Sequence, residues 1–138
     1  MKPTELICEF IVPGYCQPKQ RTFGNRFNTP PETRAYEKAV AQLAKIAMQG
    51  KGPYGGFVGL EIEIICEVPK SWTKKKRAWA LEGKCFPTHC DASNSLKALE
   101  DGMNKIVYID DRFINSIVLR REYGPEEHAR VRAVGMMR

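Results

Sequence analysis

Gly59-Leu-Glu-Ile-Glu-Ile-Ile-Cys-Glu-Val68 alternates cleanly between two kinds of side chain. Leu60, Ile62, Ile64, Cys66 and Val68 fall on one side, and Glu61, Glu63, Ile65 and Glu67 on the other. A period of two predicts a β-strand with one covered face and one largely solvated face. The three glutamates are then an outer surface rather than catalysts. Pro69 ends the strand, because proline has no N–H to give a ladder.

Working outward, Leu6 to Val12 also reads as a strand. Leu6, Cys8, Phe10 and Val12 share one face, and Pro13-Gly14 breaks the run. Tyr15 to Asn28 is a polar loop carrying Lys19, Arg21 and Arg26. Thr29-Pro-Pro-Glu32 is a helix start, with Thr29 as cap and Glu32 completing a capping box. Tyr36, Val40, Leu43 and Ala47 repeat at helical spacing and predict a buried stripe, with the helix ending by Gly50. Downstream, Ser71 to Leu81 predicts a short helix, with Gly83 beyond its end. A further helix runs from Asp91 or Ser93 to about Asn104, burying Leu96, Leu99 and Met103. Strands are expected at Val107–Ile109, Phe113–Tyr123 and His128–Val134. The order β, α, β, short α, α, β, β, β predicts a single α+β domain over residues 1–138, a mixed β-sheet packed with helices.

A chain of 138 residues buries roughly two thirds of its unfolded surface. It has no long apolar run, which excludes a transmembrane helix. Met1-Lys-Pro-Thr-Glu5 does not have the pattern of a signal peptide, so a cytoplasmic protein is expected. The five cysteines are then reduced thiols. Cys85, His89 and Cys90 form a C-x3-H-C cluster, but its spacing fits no standard zinc finger.

The net charge of +6 favours a polyanionic partner without proving one. It is also unevenly spread. Lys70 to Arg77 holds five basic residues and no acid. Lys74, Lys75, Lys76 and Arg77 are interleaved with Trp72 and Trp79, a pattern that holds phosphates and stacks on bases. The reading adopted has the tryptophans packing inward and the lysines meeting a DNA backbone. Asp91 to Asp111 is acid-rich by contrast. Asp91 starts a predicted helix that carries Lys97 and Asp101, and Asp110-Asp111 follows a short β-prone run. Such an arrangement gathers carboxylates on one small surface. Hard divalent cations prefer oxygen ligands and neutralise charge on a reacting phosphate. Taken singly, Asp91 is also a good helix cap, and Asp110-Asp111 a good turn.

At these residues the chain resembles the RusA family of Holliday junction resolvases, found in bacteria and their phages. Asp91 to Ile114 resembles the family pattern D-x-D-N-x-x-K-x-x-x-D-x-L followed by a short spacer and D-D. Val12-Pro-Gly-Tyr-Cys-Gln-Pro-Lys-Gln-Arg21, Thr33-Arg-Ala-Tyr36 and Pro69-Lys-Ser-Trp-Thr-Lys-Lys-Lys-Arg77 resemble other family blocks, in the right order. The resemblance implies a homodimer that nicks two opposed strands of a four-way DNA junction, using Mg²⁺ or Mn²⁺. It implies catalytic roles for Asp91, Asp111 and Lys97, and supporting roles for Asn94 and Asp101. Asp110 matches a further acidic position. The expected metal ligands are Asp91, Asp111 and Asp110. Lys19 and Arg21 are candidates for junction backbone, beside Lys74 to Arg77.

One position departs from the pattern: Ser93 stands where the family carries its second aspartate. Glu100 returns to nearly the same helix face, but roughly 10 Å further along the axis. That is too far to replace the missing ligand, and Asp110 is the better substitute. The other outcomes are a metal held by Ser93 through water, a weaker second metal site, or an inactive variant. The implied chemistry is in-line attack of water on phosphorus. Lys97 lies one turn beyond Ser93 and can reach a phosphate over the site. Two other readings stay open: a catalytically silent DNA-binding module, and an RNA-binding protein whose aspartates only form turns.

Overall fold

The computed structural model describes residues 2–16, 31–88 and 92–137. Four strands and three helices follow in the order β1 (Lys2–Pro13), α1 (Pro31–Met48), β2 (Val58–Glu67), α2 (Lys74–Leu81), α3 (Ala92–Met103), β3 (Ile114–Gly124) and β4 (His128–Met137). A short 3-10 turn, Asp111–Phe113, precedes β3. The sheet order is β1-β4-β2-β3. β4 pairs antiparallel with β1 and β2, while β3 runs parallel to β2. The sheet is therefore mixed, as expected of a single α+β domain. A parallel pair needs a long crossover, and α2 and α3 form it.

One sheet face carries the core. Cys8, Phe10 and Val12 of β1, Leu60, Ile62, Ile64 and Cys66 of β2, and Ala129, Val131 and Ala133 of β4 are all buried there. α1 covers them with Tyr36, Val40, Ala44 and Met48, and α3 with Ala98, Leu99 and Met103. Val40, Ala98 and Leu99 are completely inaccessible. The other face is charged: Glu61 is exposed and its Oε2 lies 3.4 Å from Nη1 of Arg132. Burial lifts the Cys8 thiol to about 11, with Lys51 opposing weakly. That thiol stays protonated and belongs to the core.

Three expectations need correction. Val107–Ile109 is not a strand. It forms a turn after α3 in which Tyr108 makes only isolated bridges to Tyr54 and Asn104, and Val107 and Tyr108 are fully buried. Leu6 is not core but 49% exposed. A bulge between Leu6 and Cys8 opposes two β1 steps to one β4 step, which flips the alternation before Cys8. Trp79 does not pack inward: it is 50% exposed. Thr29, the expected cap of α1, lies outside the described residues.

α3 lies so close to α1 that Gly102 has no room for a side chain. A Cβ there would sit 2.6 Å from Val40 and 3.0 Å from the Glu37 carbonyl oxygen. Gly102→Ala should therefore lower stability by about 1–3 kcal/mol through overpacking. An unchanged denaturation midpoint would show that the helices separate freely.

Candidate active site

α3 buries Ser95, Ala98, Leu99, Gly102 and Met103. Ser93 and Lys97 are left on its exposed side, with Glu100 and Asp101 at the margin. After Met103 the chain reverses sharply. Lys105 takes a left-handed conformation, with φ 67°, and its amide donates to the Tyr108 carbonyl at 2.8 Å. The amides of Ile106 and Val107 both return to the Met103 carbonyl. The Tyr108 hydroxyl then donates to the Glu100 carbonyl at 2.7 Å. The phenol thus clamps the returning chain to the side of α3, and burial raises its pKa far above the ordinary range. This clamp carries the two following aspartates back beside the middle of the helix. The period of the sequence offered no signal for Tyr108, since its partner is a helix carbonyl rather than another side chain.

Asp110 caps the 3-10 turn, its Oδ1 accepting from the Arg112 amide at 3.0 Å. That bond is the main cause holding its carboxyl below the ordinary value. Asp111 projects its carboxylate toward α3. Lys97 lies between two acids: its Nζ is 3.3 Å from Asp101 Oδ1 and 3.9 Å from Asp111 Oδ2. The first contact is the i,i+4 pair expected from spacing. The second is tertiary and joins α3 to the turn before β3.

Glu100, too far along α3 to replace the ligand missing at Ser93, lies among the charges of the cluster. Burial is the main force raising its pKa. Lys97 opposes the rise, while Asp111 and Asp101 add to it. A carboxylic acid with a raised folded pKa loses stability as it ionises, from its unfolded value near 4.5 upward. Glu100→Gln should therefore raise the melting temperature at pH 7. The gain should vanish below about pH 4, where the acid is protonated in both states. A gain that persists at acid pH would assign the effect to packing.

The expected site residues divide into those brought together, those held apart and those outside the description. Lys97, Asp101 and Asp111 meet, with Asp110 next to them. Ser93 is exposed and Asn94 half-buried, both in the first turn of α3. Asp91, Lys19, Arg21, His89 and Cys90 lie outside the described residues. Cys85 is a half-buried free thiol. Among the described residues, no group of three His, Cys, Asp or Glu side chains is gathered to hold a metal ion. Lys74, Lys75 and Lys76 are exposed on α2. Arg77 is half-buried and donates to the Pro69 carbonyl at 3.3 Å, so part of its guanidinium is tied to the segment just after β2.

No described helix is long and apolar enough to cross a membrane. None of the curated proteins matches the chain. The family model for endodeoxyribonuclease RusA matches residues 11–133, from the end of β1 into β4, and so spans both the acidic cluster and α2. The chain belongs to the RusA endodeoxyribonuclease family.

Proposed function

We propose that this protein resolves four-way DNA junctions by paired, Mg²⁺-dependent nicks, the activity that membership of the RusA family suggests. The observation that carries the reading is the convergence of Asp101 and Asp111 on the Lys97 ammonium. Two carboxylates already share one cation there, and hard oxygen donors of this kind suit Mg²⁺ or Mn²⁺. Asp91 and Asp111 would hold the ion, with Asp110 offering the carboxylate that Ser93 lacks. Such an ion lowers the pKa of water and neutralises charge on a phosphate.

The chain's own residues have separate tasks. The Arg112 amide holds the Asp110 carboxyl below its ordinary value, which favours the ionised, accepting form. Lys97 supplies positive charge for the reacting phosphate. Asn94, in the first turn of α3, orients a ligand or the helix end. Lys74, Lys75 and Lys76 hold DNA backbone, and Lys19 and Arg21 extend that contact. The charge on such a surface makes binding strongly salt-dependent.

Paired nicking of a junction with two-fold symmetry requires two sites. A homodimer supplies them by the same symmetry. Light scattering should give a mass twice the 15.7 kDa of one chain; a monomer both free and on DNA would sink paired nicking by one assembly. The neutral Ser93 favours a second reading, a catalytically silent DNA-binding module of the same fold. One gel separates the two. A labelled four-way junction incubated with the protein should be nicked at symmetrical positions with Mg²⁺ and only bound without it. Tight binding with no nicking in either Mg²⁺ or Mn²⁺ would leave the silent module.

A further inference from the structure

The two tryptophans of the basic segment have different surroundings. Trp72 packs edge-on against Tyr123, with ring centroids 5.3 Å apart. The Lys76 ammonium lies 4.1 Å from the Trp72 ring centre. Trp72 is thus occupied on β3 and under a cation. Trp79 is 50% exposed and has no aromatic partner among the described residues. It lines a shallow groove of about 240 Å³ together with Thr73, Lys75 and Lys76. Lys75 and Lys76 precede it by four and three residues, so all three side chains share one helix face. Thr73 caps the same helix, its Oγ1 accepting from the Lys76 amide at 3.2 Å, which fixes the first turn against the ring.

We propose that Trp79 stacks on an unpaired DNA base whose flanking phosphate lies on Lys75, with Lys76 adding positive charge from its place over Trp72. Charge complementarity identifies the occupant. Two ammonium groups and no carboxylate line the groove, which suits a polyanion better than an apolar peptide. An exposed indole beside them adds a flat π-surface, the combination with which proteins hold single strands without reading sequence. In a paired duplex the base faces are already stacked, so the site selects nucleotides freed at a junction or an end. Trp72 anchors the start of this region to Tyr123, near the end of β3 opposite to Ile114 and the acidic turn. This inference takes DNA as the partner from the proposed function, but its test needs neither metal nor cleavage.

Trp72→Phe leaves Trp79 as the sole tryptophan of the chain, so indole emission then reports on one residue. Without metal, a single-stranded thymidine 12-mer should quench that emission, and a blunt 12-base-pair duplex should quench it far less. Trp79→Ala should weaken binding of the 12-mer roughly tenfold, and Trp79→Phe should retain most of the affinity. Equal quenching by duplex and single strand would overturn base stacking and reduce the patch to backbone contact. Unaltered 12-mer affinity in Trp79→Ala would overturn it outright. A concentration-dependent shift of the Trp79 emission in the absence of DNA would show that a second copy of the chain covers the ring, and would also reject the proposal. Absence of junction nicking by the unaltered protein in Mg²⁺ or Mn²⁺, with 12-mer quenching intact, would reject the nuclease reading and leave this one standing.

Discussion

Asp111→Asn is expected to abolish nicking of a four-way junction while leaving the junction bound. The carboxylate side chain is 55% exposed and its ion pair with Lys97 spans 3.9 Å. An exposed pair of that length contributes at most a few tenths of a kcal/mol to stability. Asparagine has nearly the same shape, so the fold should survive. What disappears is a negative charge at the point where a divalent cation and a phosphate would meet. Losing one preorganised group of this kind slows an enzyme on the order of a hundredfold or more. Asp91→Asn should behave in the same way, by its place in the family motif. The measurement is a single-turnover cleavage assay alongside a gel-shift titration. Cleavage at the native rate would remove Asp111 from the site. Loss of binding together with cleavage would make it a DNA contact or a folding residue instead.

The features of the fold and site that local spacing governs are legible in the sequence. The alternation from Leu60 to Val68 is a property of adjacent residues, and β2 occupies nearly that span. The Lys97–Asp101 pair follows from a four-residue step on a helix. The parts that failed depend on distant chain. Val107-Tyr108-Ile109 has the composition of a strand, but a short apolar run reads the same in a strand and in a buried turn. The difference lies in the Tyr108 hydroxyl reaching the Glu100 carbonyl, which no periodicity encodes. The sheet order was likewise hidden. β3 and β4 are consecutive in the chain, yet β2 lies between them. That order decides that the turn before β3, with Asp110 and Asp111, opens beside α3. Glu100 was judged by its distance from Ser93 along the helix. Asp111, from the returning turn, joins Lys97 and Asp101 of its own helix in acting on it, and the comparison with Ser93 could not show that.

Lys97→Met is expected to lose most cleavage and, at the same time, to tighten metal binding. The two effects arise from one geometry. Lys97 rests between Asp101 and Asp111, so in the DNA-free protein its ammonium competes with any cation for Asp111. Methionine keeps a similar apolar stem and removes the charge. A unit charge and a dication about 4 Å apart repel by about 2 kcal/mol in bulk water, the regime that fits Lys97 at 47% exposure. Relieving a repulsion of that size should strengthen Mn²⁺ affinity roughly thirtyfold, as read by calorimetry without DNA. A cation held by Asp111 would repel the same ammonium, freeing Lys97 to supply positive charge to a phosphate. Losing that positive charge should slow cleavage on the order of a hundredfold. A role as a helical ion pair alone predicts something different: a stability change of a few tenths of a kcal/mol and no change in cleavage. Weaker Mn²⁺ binding in Lys97→Met would show that the ammonium helps to assemble the acidic site rather than compete for it. Cleavage at the native rate with tighter Mn²⁺ binding would confine Lys97 to the metal-free state and remove it from the reaction.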